Sequence, residues 1–387
     1  MKKIEKIMLT VGVCSIIVGL ALMSVFHKEA EDDDWGETLE DRIQDTIEGW
    51  GETLEDTIGG TIESVGHYNN WNQTGEVIKS DNGYYIQIGQ DSLKYYAPDD
   101  TEISLEQWKE ETKQDIEMIQ KKQGTVVLDK DDMDSIQVST IRKNIHWEKS
   151  HDDNIHIKNL GEYGVVFMKD DQLRVYDYQT KKLVETTVVI SVPSEKWEHL
   201  TLDTTSGNIE MKNVKAEECV ITTTSGDIKI EDVEANDATF DTTSGELVIQ
   251  EGKFEQLLSD TTSGDMNYKK LKVKETMTMD TTSGDIVLDK LESRDIEIAT
   301  TSGDIQIEGT IKGDIHVDTT SGNLQLQLNG KKKKYEYVVD TKGQIVIDGD
   351  EKNVEFDQSY EKSDDDSEYE LFFMSTSGDC IVSFHKD

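Results

Sequence analysis

The sequence predicts an all-β protein: a β-solenoid of about nine rungs with a repeat length of 19 or 20, preceded by one N-terminal transmembrane helix and an acidic stalk. Two observations predict the solenoid. A short motif recurs at a nearly constant period, and apolar residues alternate with polar ones on both sides of each copy. A third concerns charge: 81 Asp and Glu against 40 Lys and Arg give a net charge of −41. So acidic a chain excludes sequence-independent nucleic-acid binding, which needs a basic surface.

Residues 7–26 form an uncharged apolar run. A helix of that length crosses about 30 Å of hydrocarbon. Lys2, Lys3 and Lys6 precede the run and acidic residues follow it, which predicts a cytoplasmic tail over residues 1–6 and an extracytoplasmic C-terminal domain. A cleaved signal peptide is the alternative, but its apolar core would be shorter, and this run lacks a good cleavage site. We therefore expect a single-pass protein of the cell membrane.

Residues 27–65 form an acidic spacer that contains a tandem repeat with a period of 15. Apolar residues recur in both copies, 35–48 and 50–63, every three or four positions, as on one face of a helix. Such a segment fits a partner-binding helix or a solvated stalk, helical or disordered. We favour the stalk, because each of the glycines present weakens a helix by about 1 kcal/mol relative to Ala.

Residues 66–133 are predicted to be a mixed α/β segment. Tyr84–Gly89 and Leu93–Tyr96 have the pattern of two short strands. Ser104 to Lys122 has the pattern of a helix, with Ser104 as its N-cap. No catalytic motif occurs in this segment.

The predicted solenoid occupies residues 134–387 and carries the motif Thr-Thr-Ser-Gly followed by Asp, Asn or Glu. The glycines of its full copies are separated by steps of 19, 19, 19, 20, 19 and 19, and two degenerate copies follow. The glycines are, in order, Gly207, Gly226, Gly245, Gly264, Gly284, Gly303 and Gly322, then Gly343 and Gly378. One repeat cannot bury its apolar side alone, whereas stacking at about 4.8 Å per rung covers that side and pairs the backbone.

The hydroxyl-rich motif also invites a catalytic interpretation, which we reject. A serine nucleophile needs a positioned base, and no histidine or lysine recurs at a matching place in the repeats. Hydroxyl ladders that satisfy buried turns, and glycines that permit the turn backbone, account for the same residues. We therefore expect no enzyme activity.

Acidic residues fall in two columns of the predicted stack, one directly after the glycine and one four residues before it. Asp227, Asp265, Asp285 and Asp304 belong to the first column, and Asp241, Asp260 and Asp280 to the second. Carboxylates about 5 Å apart repel by roughly 1 kcal/mol per pair in a water-like dielectric, and calcium bound to these oxygens would relieve the repulsion. The alternative is that each Asp caps a turn and faces screened solvent. Calcium is the one cofactor that this pattern suggests.

Histidines and cysteines add two further expectations. His146 and His156 would face each other in a hairpin and could bind zinc or copper, although ordinary surface histidines are the favoured interpretation. Cys219 and Cys380 fall in apolar columns about seven rungs, or roughly 34 Å, apart. A disulfide needs Cα atoms within about 7 Å, so both cysteines should be free, buried thiols.

The run from Val188 to Pro193, followed by Leu200 to Met211 with its Thr-Thr-Ser-Gly-Asn core, resembles the "putative adhesin" family of β-strand repeats in bacterial envelopes. The resemblance covers about residues 134–387. Single-anchor members resemble the LiaG-like proteins that accompany envelope-stress systems of Gram-positive bacteria. The resemblance implies a surface or regulatory role with no established enzyme activity, and it transfers no catalytic residues.

Two functions remain open from the sequence. The first is a membrane-anchored adhesion or scaffold module that acts through its long repetitive face. The second is an envelope-stress sensor or regulator whose acidic face binds cations or cationic peptides. The expected partners are the membrane, through residues 7–26, and cationic peptides or envelope proteins, but not nucleic acid.

Overall fold

The computed structural model describes residues 76–80, 82–88, 93–113, 116–120, 124–130, 133–161, 164–169, 171–177, 186–352, 359–363 and 367–385. The predicted membrane helix over 7–26 and the acidic spacer over 27–65 lie outside the described residues, so both stay predictions. Within the ranges that are described, no helix is both long and apolar enough to cross a bilayer.

The chain divides into two compact units. The described part of the smaller unit is a four-stranded antiparallel sheet. Its strands are β1 Glu76–Lys79, β2 Tyr85–Ile88, β3 Leu93–Tyr96 and β4 Glu102–Ile103. Strands β2 and β3 confirm the two short strands predicted from the sequence.

The larger unit begins with helix α1, Leu105–Thr112. Ser104 is its N-cap, as predicted, and the Ser104 hydroxyl accepts a hydrogen bond from the backbone N–H of Gln107 at 3.1 Å. The predicted extension of this helix to Lys122 is wrong. Lys113 adopts a left-handed backbone with φ of 55° and ends the helix, and residues 116–120 pair in a sheet instead, because sheet pairing outweighs the modest helix propensity of a short segment.

The rest of the larger unit, where it is described, is almost entirely β structure. Its strands are β5 Ile116–Gln120, β6 Gly124–Asp129, β7 Ser135–Thr140, β8 Asn144–Lys149, β9 Asn154–Leu160, β10 Gly164–Lys169, β11 Gln172–Asp177, β12 Thr187–Val192, β13 Trp197–Thr204, β14 Ile209–Thr223, β15 Ile228–Thr242, β16 Leu247–Ile249, β17 Gly252–Thr261, β18 Met266–Lys269, β19 Leu271–Thr281, β20 Ile286–Thr300, β21 Ile305–Ile311, β22 Ile315–Thr319, β23 Leu324–Asn329, β24 Tyr335–Asp340, β25 Ile345–Ile347, β26 Asp350–Lys352, β27 Tyr360–Lys362, β28 Tyr369–Ser375 and β29 Cys380–His385, with a 3-10 helix at Lys332–Lys334.

Successive repeats pair in parallel and in register, each residue opposite its equivalent in the next repeat. Leu200 pairs with Cys219, and Cys219 pairs with Ala238. This pairing is consistent with the predicted β-solenoid, because it places equivalent apolar side chains in continuous columns. Ile286 and Leu288 are 0% and 1% exposed, as the alternating pattern predicts.

The stack has two rungs ahead of the first Thr-Thr-Ser-Gly motif, and they are not stacked in chain order. The rung formed by β7 and β8 contacts the first motif-bearing rung, since Ile136 pairs with Leu200. The rung formed by β11 and β12 lies on its other side, since Leu173 also pairs with Ile136. Strands β9 and β10 pair antiparallel with this outer rung, and β6 and β5 pair with them in turn. The large sheet therefore begins at Ile116, before the predicted boundary at 134.

The C-terminal end shows a second exchange of order. The β28–β29 rung, which carries Gly378, lies directly against β22–β23. The β24–β25 rung, which carries Gly343, lies outside it, and the antiparallel strands β27 and β26 pair with it. In chain order the rungs of the two cysteines would be seven steps apart, as predicted, but the exchange makes the separation six steps. Both Cys219 and Cys380 are free and buried, as predicted.

Candidate functional surface of the repeat

The first threonine of each full motif is buried and acts within its own turn. Its Oγ1 accepts a hydrogen bond from the backbone N–H of the motif glycine, at 2.9 to 3.2 Å in the seven copies. The hydroxyls of Thr223 and Thr242 also donate to the glycine carbonyl of the preceding rung at 3.2 Å. The structure thus confirms the predicted hydroxyl ladder and gives these threonines a structural role.

The glycines are required for a different reason from the one predicted. None of the motif glycines has the left-handed backbone that favours glycine over other residues. Instead, a Cβ placed on Gly245 or Gly264 would lie 1.8 Å from the glycine carbonyl oxygen of the preceding rung. The motif therefore uses glycine to let adjacent turns approach closely.

The serine of the motif is also occupied by the backbone. Its hydroxyl donates to a carbonyl of the preceding rung, for example from Ser283 to Thr262 at 3.5 Å and from Ser302 to Thr282 at 3.4 Å. These are long hydrogen bonds, and none of them involves a base. The second threonine, such as Thr262, is exposed on the outer face. The serine hydroxyls of these turns therefore bond to backbone carbonyls, and not to a general base of the kind that would activate a nucleophile.

The acidic column after the glycine forms a ladder of hydrogen bonds between rungs. Asp265 Oδ1 accepts from the backbone N–H of Asp285 at 2.9 Å, and Asp285 Oδ1 accepts from that of Asp304 at 2.9 Å. Asp304 and Asp227 accept in the same way from the next rung. Each of these Asp side chains thus caps a backbone N–H on the next rung of the stack, and not one within its own turn. In all four bonds the acceptor is Oδ1, and all four Asp residues are exposed.

Natural asparagines take part in the same ladder. Asn208 Oδ1 accepts from Asp227 N–H at 3.0 Å, and Asn323 Oδ1 accepts from Asp379 N–H at 2.8 Å. The ladder breaks at Glu246, whose side chain accepts no such bond among the described residues, because its extra methylene displaces the carboxylate. The amide therefore replaces the carboxylate in the ladder without loss of the hydrogen bond.

The second acidic column is a direct stack of carboxylates. Asp241 pairs with Asp260, and Asp260 pairs with Asp280, on adjacent rungs. Partial burial raises the pKa of Asp260 and of Asp280 to about 6, and the carboxylate on the preceding rung, Asp241 or Asp260, adds to the effect. Asp260 and Asp280 are partly buried, whereas Asp241 is exposed. The pH dependence of the stack therefore centres on Asp260 and Asp280.

The first acidic column lies in the turn, directly before the strand that follows the glycine, whereas the second lies on the strand that precedes the turn. Among the residues that the structure describes, no three or more His, Cys, Asp or Glu side chains are arranged to hold a metal ion. His146 and His156 do not face each other either, because β12 lies between β8 and β9 and pairs with both. His146 lies 3.4 Å from Glu210, and His156 lies 2.8 Å from Asp152.

Ion pairs that were not predicted from the sequence join successive rungs. Lys212 pairs with Glu231 at 2.8 Å, and Lys269 with Asp289 at 2.9 Å. Lys196 also pairs with Glu217. The signal was present, since opposite charges separated by one repeat must become neighbours in an in-register stack. These pairs neutralise part of the outer face and leave the two Asp columns as its continuous acidic features.

Comparison with protein families gives one match: the family described as Toastrack DUF4097 matches residues 97–278 and 260–383. Among curated proteins, no match to the chain is found.

Three solved structures are similar over about 70% of the chain. A "putative adhesin" from Bacteroides fragilis is 16% identical with a TM-score of 0.37, covering 69% of this chain and 99% of its own. A "putative lipid binding protein" from Parabacteroides distasonis is 12% identical with a TM-score of 0.38, covering 69% and 96%. A "putative cell adhesion protein" from Clostridium sporogenes is 9% identical with a TM-score of 0.19, covering 70% and 100%. TM-scores this low do not establish a shared fold, so the family assignment rests on the match to the family's sequence model.

Proposed function

The chain belongs to the Toastrack DUF4097 family, and we propose that it is a non-enzymatic β-repeat module of the cell surface. In this proposal residues 7–26 anchor it in the membrane, and the β-solenoid acts as an adhesion or scaffold domain. The observation that carries the proposal is the use of the repeated polar groups: the buried threonine, the serine and the Oδ1 of the Asp that follows the glycine all bond to the backbone. Since these groups stabilise the stack, the surface available for binding a partner is the regular outer face of the solenoid.

A regular face suits multivalent binding. Equivalent groups recur on successive rungs at about 4.8 Å, so a partner that binds one rung weakly meets further copies of the same site. Linked weak contacts raise avidity without any new type of contact. The continuous acidic features make the preferred partner cationic.

The second candidate is a sensor or regulator of envelope stress that collects cations or cationic peptides. The Asp ladder favours it, because Asp265, Asp285 and Asp304 are exposed and use only Oδ1 in the hydrogen bonds between rungs. Calcium is the metal that carboxylate oxygens of this kind would bind. Both candidates use the same acidic face, so one experiment addresses them together.

The test is titration of the full chain, kept in detergent, with calcium chloride and separately with a lysine-rich peptide. The variant is Asp265→Asn with Asp285→Asn and Asp304→Asn, which keeps the Oδ1 acceptors of the ladder and removes three charges. The matched control removes three charges elsewhere: Glu198→Gln, Glu210→Gln and Glu234→Gln. We expect peptide binding that weakens between about 50 mM and about 300 mM salt and that the Asn variant impairs more than the control.

Three outcomes decide between the accounts. Peptide binding lost in the Asn variant, with no calcium binding, supports a protein or peptide partner on the acidic face. Calcium binding lost in the same variant supports the cation-collecting role. Equal effects of the two variants, or no binding to either probe, would reject the acidic face as the functional surface.

A further inference from the structure

One groove in the stack is basic, although the chain as a whole carries a net charge of −41. It has a volume of about 540 Å³, and its lining includes Lys272, Lys274, Arg294 and Lys312. Glu292 is the one acidic side chain in that lining. A cluster of basic side chains in one groove is unexpected in so acidic a protein, and the local strand pairing explains how it arises.

The groove lies where the repeat period breaks. The glycine-to-glycine step is 20 from Gly264 to Gly284 and 19 between the other full motifs, and the strand pairing locates the extra residue. On β17 and β19, Phe254 pairs with Val273 but Leu257 pairs with Met277, so β19 holds one more residue over this stretch. Against β20, the register slips at the same point, after Val273. The extra residue therefore makes a bulge at positions 274–275, and bulges redirect side chains and often lie beside binding sites.

Two register slips, the one at 274–275 and a second between Asp289 and Leu291, bring three bases to successive rungs. Val273 pairs with Ser293, and Ser293 pairs with Ile311. Lys274, Arg294 and Lys312 directly follow these three residues, and all three line the groove, on rungs about 4.8 Å apart. Elsewhere charges of opposite sign face each other across rungs, as in Lys212 with Glu231. A column of three like charges is unfavourable unless an anion lies against it.

A bound anion could replace the carboxylates that now pair with these bases. Lys272 pairs with Glu292 at 2.9 Å, Lys274 with Glu255 at 3.0 Å, and Arg294 with Asp295 at 3.5 Å. In the first two pairs both side chains are exposed, and exposed ion pairs contribute only about 0–1 kcal/mol. Lys312 is exposed and forms no ion pair with any residue that the structure describes.

We propose that this groove binds a linear polyanion through its phosphate groups. The donors come from three rungs, which suits the tetrahedrally arranged oxygens of a phosphate better than a planar carboxylate, and the Arg294 guanidinium can bind two oxygens of one phosphate. The acidic columns do not oppose such binding strongly, because at physiological salt charges are screened over about 8 Å. The groove goes beyond the proposed function, since it gives the module a second surface of opposite sign.

The test is titration of the full chain with inorganic tripolyphosphate, and in parallel with citrate, in buffer free of divalent cations. The groove variant is Lys274→Gln with Arg294→Gln and Lys312→Gln. The control variant, Lys212→Gln with Lys229→Gln and Lys269→Gln, removes the same charge from another strand face. We expect tripolyphosphate affinity to fall at least about tenfold in the groove variant, and to change less than about twofold in the control.

A second measurement does not depend on the variants. Bound tripolyphosphate should protect Lys274 and Lys312 of the unmodified protein from an amine-acylating reagent, and should leave Lys212 and Lys229 reactive. Equal loss of affinity in both variants, no protection, or no binding of tripolyphosphate would overturn the proposal. Citrate binding as tight as tripolyphosphate would overturn the assignment to phosphate.

Discussion

In the middle of the β stack and at its ends, the apolar side and the backbone of each rung are covered in different ways. Between Trp197 and Asn329, each rung is covered by a rung of nearly the same sequence, in chain order, through parallel pairing. At both ends the chain order is exchanged, and antiparallel strands cover the last rung. Repetition alone cannot protect a terminal rung from pairing with another chain, so the ends need unique residues.

The clearest unique feature is a buried ion pair at the N-terminal end. Lys143 and Asp177 are both 1% exposed or less, and Lys143 Nζ lies 2.9 Å from Asp177 Oδ2. Lys143 Nζ also donates to the backbone carbonyl of Asn159 at 2.7 Å, and Asp177 Oδ2 accepts from Gly161 N–H at 2.6 Å. The pair joins the inner rung, the outer rung and an antiparallel strand, which is where chain order and spatial order differ.

The largest expected effect comes from breaking this pair. Lys143→Met leaves the Asp177 carboxylate buried without its counter-ion, and removing one partner of a buried pair typically costs about 3–5 kcal/mol. We expect a large fall in Tm by circular dichroism. Lys158→Met, an exposed change on the neighbouring strand β9, should leave the Tm nearly unchanged. Similar Tm values for the two variants would show that the pair does not hold the end together.

The next effect tests the middle of the stack. Gly264→Ala places a Cβ 1.8 Å from the carbonyl oxygen of Gly245, so the backbone of two rungs must move apart. We expect a loss of about 3 kcal/mol, at the upper end of typical overpacking costs. Thr262→Ala, an exposed change in the same turn, is the control and should have little effect. Equal stability of Gly264→Ala and the unmodified protein, measured by urea unfolding, would contradict the close stacking of the turns.

A smaller effect concerns the stacked carboxylates. The pKa of Asp260 and Asp280 is raised to about 6 in the fold, from an ordinary value of 3.8. A raised carboxyl pKa contributes stability below the unfolded pKa, and that contribution is lost as pH rises through about 6. Asp260→Asn with Asp280→Asn should therefore stabilise the protein at pH 7.5 by about 1–3 kcal/mol. Thermal unfolding of both proteins from pH 7.5 to pH 4 checks this, and a stability difference that does not shrink on acidification would contradict it.

The regular middle could be predicted from sequence because its information is local and repeated. The alternation around each glycine identifies inward positions such as Ile286 and Leu288, and the Thr-Thr-Ser-Gly turn identifies the hydroxyl ladder. The ends could not be predicted, because the rungs of β7–β8 and β11–β12 lack the motif and their order depends on distant contacts. The helix was predicted too long because strand pairing at 116–120 outweighed local propensity.

The two candidate surfaces differ in the same way. The acidic columns follow directly from the period, so sequence analysis finds Asp265, Asp285 and Asp304 in one row. The basic groove depends on two one-residue slips, at positions 274–275 and between Asp289 and Leu291, so Lys274, Arg294 and Lys312 do not share one position relative to the motif glycine. The longer step from Gly264 to Gly284 was the available signal for the first slip, whereas the second slip is visible only in the strand register.

The exchanged order of the last rungs is the central claim of the comparison, and paired cysteines test it directly. Gln325 lies opposite Ile381 in the structure, and stacking in chain order would place Val346 there instead. Neighbouring parallel strands are about 4.8 Å apart, within the range that a disulfide spans. After mild oxidation of the full chain, we expect mass spectrometry to find a disulfide in Gln325→Cys with Ile381→Cys, and none in Gln325→Cys with Val346→Cys. A disulfide in the second variant and not in the first would contradict the account.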